Sequence, residues 1–361
     1  MCKEYFYIQL WYNISMRILI LGNNYSAQSF FELFNKDKNN IVFTTMQNIN
    51  YVNFSNLSDI EDFIEANEIN FVLITDEEYI NFDICEFVSS KNITVFAPGY
   101  DAVLISSSKS VAKRFMYKNK IPTAKFQIFE KPALALDYVK ALENPVAIKP
   151  DKHNSMECTK FAETFNQAQK IINNLFQSGN EKIIIEDYIE GKNIEIFVLS
   201  DGFKFQILGI SAKYQNNIAY FEPEFLNSET VEKIIQEVIN PTIDNLQFQG
   251  DEYIGILGFD IILKSDNSFY LVGYNSFFDD IDVDFYTKGF NVNWLEIFES
   301  TIVGDVFSKY EINPLNEYML SIRQNDKINF ISAKTKGNLE LYLNELYDTK
   351  EYNEAQKIWK S

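Results

Sequence analysis

Two charged residues of this 361-residue chain stand where charge is costly. Asp260 interrupts the apolar run from Ile256 to Leu263, where an unpaired carboxylate is unfavourable unless a metal or a lysine meets it; the duller alternative turns it outward to water. Lys149 lies between Ile148 and Pro150 at the end of an apolar strand, a setting that suits contact with an anionic ligand. Lys113, by contrast, sits on an amphipathic helix and reads as a solvated charge. The turn Gly22-Asn23-Asn24-Tyr25-Ser26 leads from a strand into a helix N-terminus, where backbone amides can hold phosphate. Its single glycine makes an ordinary strand-to-helix turn the simpler reading.

What the chain lacks narrows the chemistry. His153 is the only histidine, and Cys2, Cys85 and Cys158 are widely separated, so neither zinc nor disulfide spacing exists. The free thiols suit a reducing cytosol, and no apolar stretch approaches the ~20 residues that a membrane helix needs, so a cytoplasmic location is expected. A formal net charge of -19 repels nucleic-acid phosphates and anionic lipid, which excludes both as default partners. Any anionic ligand must then be held by a local cluster of lysines. The first fifteen residues lack the charged-then-apolar layout of a secretion signal, and Met16, just before a strand, is the expected functional start.

These residues need elements to position them. At this length two or three domains are expected. Short apolar strands at Arg17-Leu21, Ile41-Thr45, Phe71-Thr75 and Ile93-Phe96 alternate with helices starting near Ser26, Ser58 and Asn81, which predicts a parallel sheet with helices on both faces. A second section opens with a helix around Ser108-Tyr117, passes Pro122 into the strand Lys125-Phe129, and continues through a helix from Pro132 to Leu142 into Val146-Lys149. Another helix leads to the strand Ile183-Glu186. Antiparallel strands follow at Ile194-Leu199 and Lys204-Ile210, then a helix over Thr230-Leu246 and a hairpin of Ile254-Leu263 with Ser268-Tyr274. Past Val306 the chain turns acidic and Asn/Lys-rich, and a small strand-helix appendage is expected.

Three segments, in this order, resemble the ATP-grasp ligases, most closely phosphoribosylamine-glycine ligase, over about Met16 to Val306. The first is Val95-Phe96-Ala97-Pro98 with Ser108-Lys109-Ser110-Val111-Ala112-Lys113 and Ile121-Pro122-Thr123-Ala124. The second is Ile148-Lys149-Pro150-Asp151 with Ile184-Ile185-Glu186-Asp187-Tyr188-Ile189-Glu190-Gly191. The third is Gly258-Phe259-Asp260-Ile261-Ile262 with Tyr270-Leu271-Val272-Gly273-Tyr274-Asn275. The resemblance implies an α/β chain: an N-terminal Rossmann-like parallel sheet over residues 16–107, then a two-lobed α+β ATP-grasp domain over 108–305. Its small lobe would span about 125–190 and its larger lobe about 191–305, with a short appendage at 306–361 and residues 1–15 outside the fold. It further implies that Lys109 and Lys149 face the phosphates of ATP, that Glu186, Asp187 and Tyr188 belong to the adenine hinge, that Asp260 and Asn275 hold Mg2+, and that Asp280 serves the substrate.

The same resemblance exposes departures. After Lys149 a glycine-rich loop is expected, but Asp151-Lys152-His153-Asn154-Ser155-Met156-Glu157-Cys158 has no glycine, and side chains keep backbone amides away from phosphate. Glu157 replaces a lysine, Gly273 replaces a metal-binding glutamate, Phe277 replaces an arginine, and Asn193 replaces a ribose-facing glutamate, with Glu195 two residues away on the same side of the strand. The substrate loop after Ser211 is reduced to Ala212-Lys213-Tyr214-Gln215-Asn216-Asn217, and the family's final domain is largely absent. ATP-grasp chemistry passes a phosphoryl group to a carboxylate that an amine then attacks, so it needs charge neutralisation rather than a side-chain nucleophile. Two readings follow: an ATP- and Mg2+-dependent carboxylate-amine ligase with weak metal binding, or an impaired relative that binds a small-molecule nucleotide or a protein partner without turnover. A monomer or weak homodimer is expected.

Overall fold

The computed structural model describes residues 16–45, 52–54, 56–80, 93–142, 144–152, 159–214, 218–223, 225–248, 252–324 and 327–339, and the single positions 84, 87, 88, 90, 91 and 341. The extension before Met16, the start of the helix expected near Asn81, the stretch from His153 to Cys158 with Glu157, and Gln215 to Asn217 lie outside the described residues.

Strands β1 (Arg17–Leu21), β2 (Ile41–Thr44), β3 (Phe71–Ile74) and β4 (Thr94–Phe96) form a parallel sheet in the order β2-β1-β3-β4. Every residue of β3 is buried, as a strand covered on both faces requires. Helix α1 (Tyr25–Phe34) begins where the Asn24 side chain accepts from the Ala27 amide, and α2 (Leu57–Ala66) where Asn56 accepts from Asp59. Two helices follow in succession, α3 (Tyr100–Ser107) and α4 (Lys109–Lys118). The sequence pattern predicts only the second. Ser108 ends the first and caps the second by accepting from the Val111 amide.

A four-stranded antiparallel sheet comes next, built from β5 (Phe126–Phe129), β6 (Val146–Pro150), β7 (Lys160–Ala162) and β8 (Ile183–Asp187) in the order β5-β8-β6-β7. Helices α5 (Pro132–Lys140) and α6 (Phe165–Gln177) pack on it through Ala135, Val139, Ala168 and Ile172. The third sheet has seven strands: β9 (Lys192–Asp201), β10 (Phe205–Tyr214), β11 (Ile218–Phe221), β12 (Ile254–Leu263), β13 (Phe269–Asn275), β14 (Tyr318–Gln324) and β15 (Lys327–Ala333), ordered β13-β12-β9-β10-β11-β14-β15. Asn267, at φ 65°, turns the β12-β13 hairpin. The single helix expected over Thr230-Leu246 is α7 (Ser228–Ile234) and α8 (Asn240–Phe248) joined by a π-helical turn at Ile235–Ile239.

After β13 come α9 (Val283–Gly289) and α10 (Trp294–Val303). Among the described residues beyond Val306, β14 pairs with β11 and β15 with β14, burying Leu320, Ile322 and Ile331 and covering the β11 edge of the sheet. An aromatic seam ties the first sheet to the third. Phe30 of α1 meets Phe277 at a ring-centroid distance of 5.5 Å and Phe298 at 5.5 Å, and Phe96 stacks on Phe298 at 3.9 Å. No helix among the described residues is long and apolar enough to cross a membrane.

Candidate active site

The small antiparallel sheet and the seven-stranded sheet border a cavity of about 510 Å³, within the range of small-molecule sites. Lys109 and Lys149 line it from one side, and Asp260, Asn275 and Lys213 from the other. Residues from α4, β6, β12 and β13, far apart in sequence, therefore share one opening.

The cationic side is built around Glu186. Ala147 of β6 pairs with Glu186 of β8, so Lys149, two residues on and on the same face, reaches the carboxylate diagonally. Both lysines that engage Glu186 are buried with it: Lys149 forms an ion pair, and Lys113 forms another at 2.6 Å. Lys113 also donates to Thr123 Oγ1 at 2.7 Å, and that hydroxyl donates to the Leu271 carbonyl of β13. Lys113 is 1% exposed, which overturns its reading as a solvated charge. The helix that carries it packs against β8, where Glu186 meets its ammonium. Burial lowers the Lys113 pKa to about 8, Glu186 opposes that shift, and Lys149 adds to it. For Glu186, burial alone would raise the pKa, but Lys149 and Lys113 outweigh it and hold the carboxyl at about 2. Glu186 thus serves as counter-ion to both ammonium groups, and it lines the cavity wall together with Lys149. Lys109 opens α4, whose first turn is held by Asp151 at the end of β6: Ser108 Oγ and the Ser110 amide both donate to Asp151 Oδ1, at 2.9 and 2.7 Å.

Asp187 and Tyr188 also line the cavity. Their amides are taken by the Lys125 and Pro145 carbonyls, at 3.0 and 3.1 Å, which fixes the hinge. The Tyr188 ring meets Phe161 edge-on at 5.2 Å, and both rings are exposed at the rim. Gly191 lets the hinge lie against β12, since a Cβ there would fall 2.5 Å from the Leu263 carbonyl oxygen.

On the anionic side Asp260 pairs across strands with Glu195 and with Gly273. Asn275 Nδ2 donates to Glu195 Oε1 at 2.5 Å and lies 3.5 Å from Asp260 Oδ2. Glu195 is fully buried and faces Lys213 and Asn275, not the position beside Asn193 that lines the cavity. Burial raises the pKa of both Asp260 and Glu195; Lys213 opposes the shift, and Asp279 and Asp282 add to it. A cation relieves such crowding. Magnesium prefers oxygen donors, and Asp260 with the Asn275 amide oxygen could supply two on adjacent strands once the Asn275 amide group, whose nitrogen is turned to Glu195 and Asp260 here, rotates. A Cβ on Gly273 would meet nothing closer than Asp260 Oδ2 at 3.7 Å, so the position of the missing glutamate is open.

Asp280, expected to serve the substrate, accepts from the Tyr25 amide at 3.0 Å and lies 3.8 Å from Arg323. The first strand-to-helix turn is thereby occupied from within: the Gly22 amide goes to Thr45 Oγ1 and the Ala27 amide to Asn24 Oδ1. Sequence reasoning missed Lys113, Lys213, Asp279 and Asp282. Lys113 lies one helical turn after Lys109, and Lys213 shares the β10 face that Glu195 meets diagonally; those two spacings carried the available signal.

A family model described as the phosphoribosylglycinamide synthetase ATP-grasp (A) domain matches residues 107–283. Phosphoribosylamine–glycine ligase from Fusobacterium nucleatum is 25% identical over 248 residues, which cover 64% of this chain and 58% of that protein. The Neisseria meningitidis enzyme of the same name is 24% identical over 319 residues, covering 81% and 75%. Among solved structures, phosphoribosylamine–glycine ligase from Thermotoga maritima superposes with a TM-score of 0.70 at 17% identity, covering 92% of this chain and 96% of that one. Carboxyaminoimidazole ribonucleotide synthase from Aspergillus clavatus, complexed with ATP, does so with a TM-score of 0.70 at 12% identity, covering 92% and 97%. At these identities the structural likeness concerns the fold. The cavity between two sheets, the paired lysines and the match over residues 107–283 agree: that stretch resembles the ATP-grasp domain of phosphoribosylglycinamide synthetase, and the chain as a whole has the fold of phosphoribosylamine–glycine ligase.

Proposed function

We propose that the cavity binds ATP with one magnesium ion and supports ATP-dependent ligation of a carboxylate to an amine through an acyl phosphate. The observation that carries this reading is the convergence of Lys109, Lys149, Asp260 and Asn275 on one cavity. Lys149 and Lys109 would meet phosphate oxygens, while the Tyr188 and Phe161 rings would flank the base. Magnesium, held by Asp260 and Asn275, would neutralise phosphate charge. A substrate carboxylate oxygen would attack the γ-phosphorus as the bond to the bridging oxygen of ADP breaks. The amine nitrogen would then attack the acyl carbon, releasing phosphate and losing one proton. No side-chain nucleophile takes part.

Gly273 opposite Asp260 favours a second reading, in which nucleotide binds without turnover, because one carboxylate is missing from the ligands that the resemblance implies. Thermal unfolding with and without magnesium-ATP separates binding from its absence: a site at 100-fold excess of ligand over Kd should stabilise the fold by about 2.7 kcal/mol. Lys149→Met should abolish that shift. An unchanged melting temperature in the unaltered protein at millimolar ATP would reject nucleotide binding altogether. Where the shift is present, ADP release screened against pairs of carboxylic acids and amines distinguishes a ligase from a silent binder.

A further inference from the structure

Beside the expected magnesium ligands lies a charge cluster whose centre is a lysine. Register pairs Ser211 with Glu195, so Lys213, two residues on, points to the same face of the sheet. Its ammonium forms ion pairs with Glu195, with Asp279 at 2.5 Å and with Asp282 at 2.8 Å. Lys213 has 8% of its side chain exposed, while Glu195 and Asp282 have none. The oxygens of the three carboxylates come within 4.8 Å of one another, the spacing of a divalent-ion cage. Asp282 Oδ1, fully buried, has no hydrogen-bond partner among the described residues. Such an oxygen is stabilised by a nearby charge rather than by directed hydrogen bonds. Asp260, paired across strands with Glu195, adds a fourth carboxylate beside this cluster.

We propose that the Lys213 ammonium is a tethered cation that fills a divalent-ion position between Glu195, Asp279 and Asp282, leaving the adjoining Asp260 and Asn275 to hold a single free ion. Lys213 acts here as a positioning residue. It holds Glu195 in place, and Glu195 in turn receives the Asn275 amide and fixes that ligand beside Asp260. A covalently attached monocation leaves the cage with net negative charge, which strengthens attraction for one mobile cation nearby. It also denies entry to a second. The inference deepens the reading of the cavity as a magnesium-nucleotide site, but its test requires no nucleotide.

The test is titration of Mn2+ in the absence of nucleotide, with free ion followed by electron paramagnetic resonance, on the unaltered protein, Lys213→Met, Lys213→Arg and the double variant Lys213→Met/Glu195→Gln. Lys213→Met should bind one more Mn2+ per chain than the unaltered protein, and Mg2+ should compete for it. Lys213→Arg should keep the original stoichiometry, and the double variant should lose the added ion. A folded Lys213→Met protein with unchanged stoichiometry overturns the proposal. Should Lys213→Met fail to fold in chelator, recovery of its cooperative melting in Mn2+ supports the tethered-cation role, and failure to recover overturns it. Absence of an ATP-induced melting shift would reject the nucleotide reading without altering the Mn2+ count.

Discussion

Replacing Lys113 by methionine keeps most of the side chain's length and removes a buried charge. Burial is the largest influence on this lysine, and with Lys149 it outweighs the attraction of Glu186, leaving a pKa of about 8 against 10.5 for an unperturbed lysine. The unfolded chain therefore binds the proton more tightly than the fold does. Protonated lysine costs stability fully below the folded value, and the cost disappears as pH rises through the unfolded value. At 1.36 kcal/mol per pH unit, the cost is roughly 3 kcal/mol at pH 7 and about 1 kcal/mol at pH 9.5. Methionine carries none of it. The stability of Lys113→Met relative to the unaltered protein should accordingly fall by about 2 kcal/mol between those two pH values. Urea unfolding followed by tryptophan fluorescence provides the measurement, since Trp294 is 1% exposed in the fold. The packing change and the lost hydrogen bond to Thr123 shift both values equally and cancel in the comparison. A difference that stays flat from pH 7 to about pH 9.5 would mean an ordinary lysine pKa and would refute the reading that burial, with Lys149, outweighs the attraction of Glu186.

Two further substitutions probe the cavity walls. Gly191→Ala would press a methyl group against the Leu263 carbonyl and Ile262, so unfolding free energy should drop by about 1–3 kcal/mol, with weaker nucleotide binding as the hinge shifts. Gly273→Glu should enter open space beside Asp260 and lower the magnesium concentration needed for half-maximal nucleotide binding, measured by titrating magnesium at fixed nucleotide; an unchanged midpoint would argue against the metal assignment.

Most strands were legible because their apolar residues recur at short, regular intervals, and the helix starts expected near Ser26, Ser58 and Ser108 lie within two residues of the Asn24, Asn56 and Ser108 caps that the structure shows. The break at Ser108 between α3 and α4 was not legible, since Tyr100–Ser107 lacks a clear polar face. Lys149 and Asp260 stood out because their apolar neighbours made their charge conspicuous within the sequence itself. Lys113 and Lys213 did not, because each is buried by a partner from another element: Glu186 on β8 for one, Glu195 and the Asp279-Asp282 turn for the other. Their helical or strand surroundings are compatible with solvent, and only tertiary pairing decides otherwise. Asp280 was assigned to the substrate by the resemblance; nothing in the local sequence reveals that it also accepts from the Tyr25 amide, 255 positions away.

The aromatic seam bears on which of the departures from the resemblance the fold would tolerate reversing. Gly273 borders open space, so the carboxylate that the resemblance implies there would enter without displacing a neighbour. Phe277 is different: it is 7% exposed and edge-on to Phe30 and Phe278, so a guanidinium there would enter a wall of rings that also fastens the parallel sheet. Reversal at that position would demand concerted rebuilding of the joint between sheets. Packing thus locks the phenylalanine at 277 in place, whereas it leaves 273 free to change.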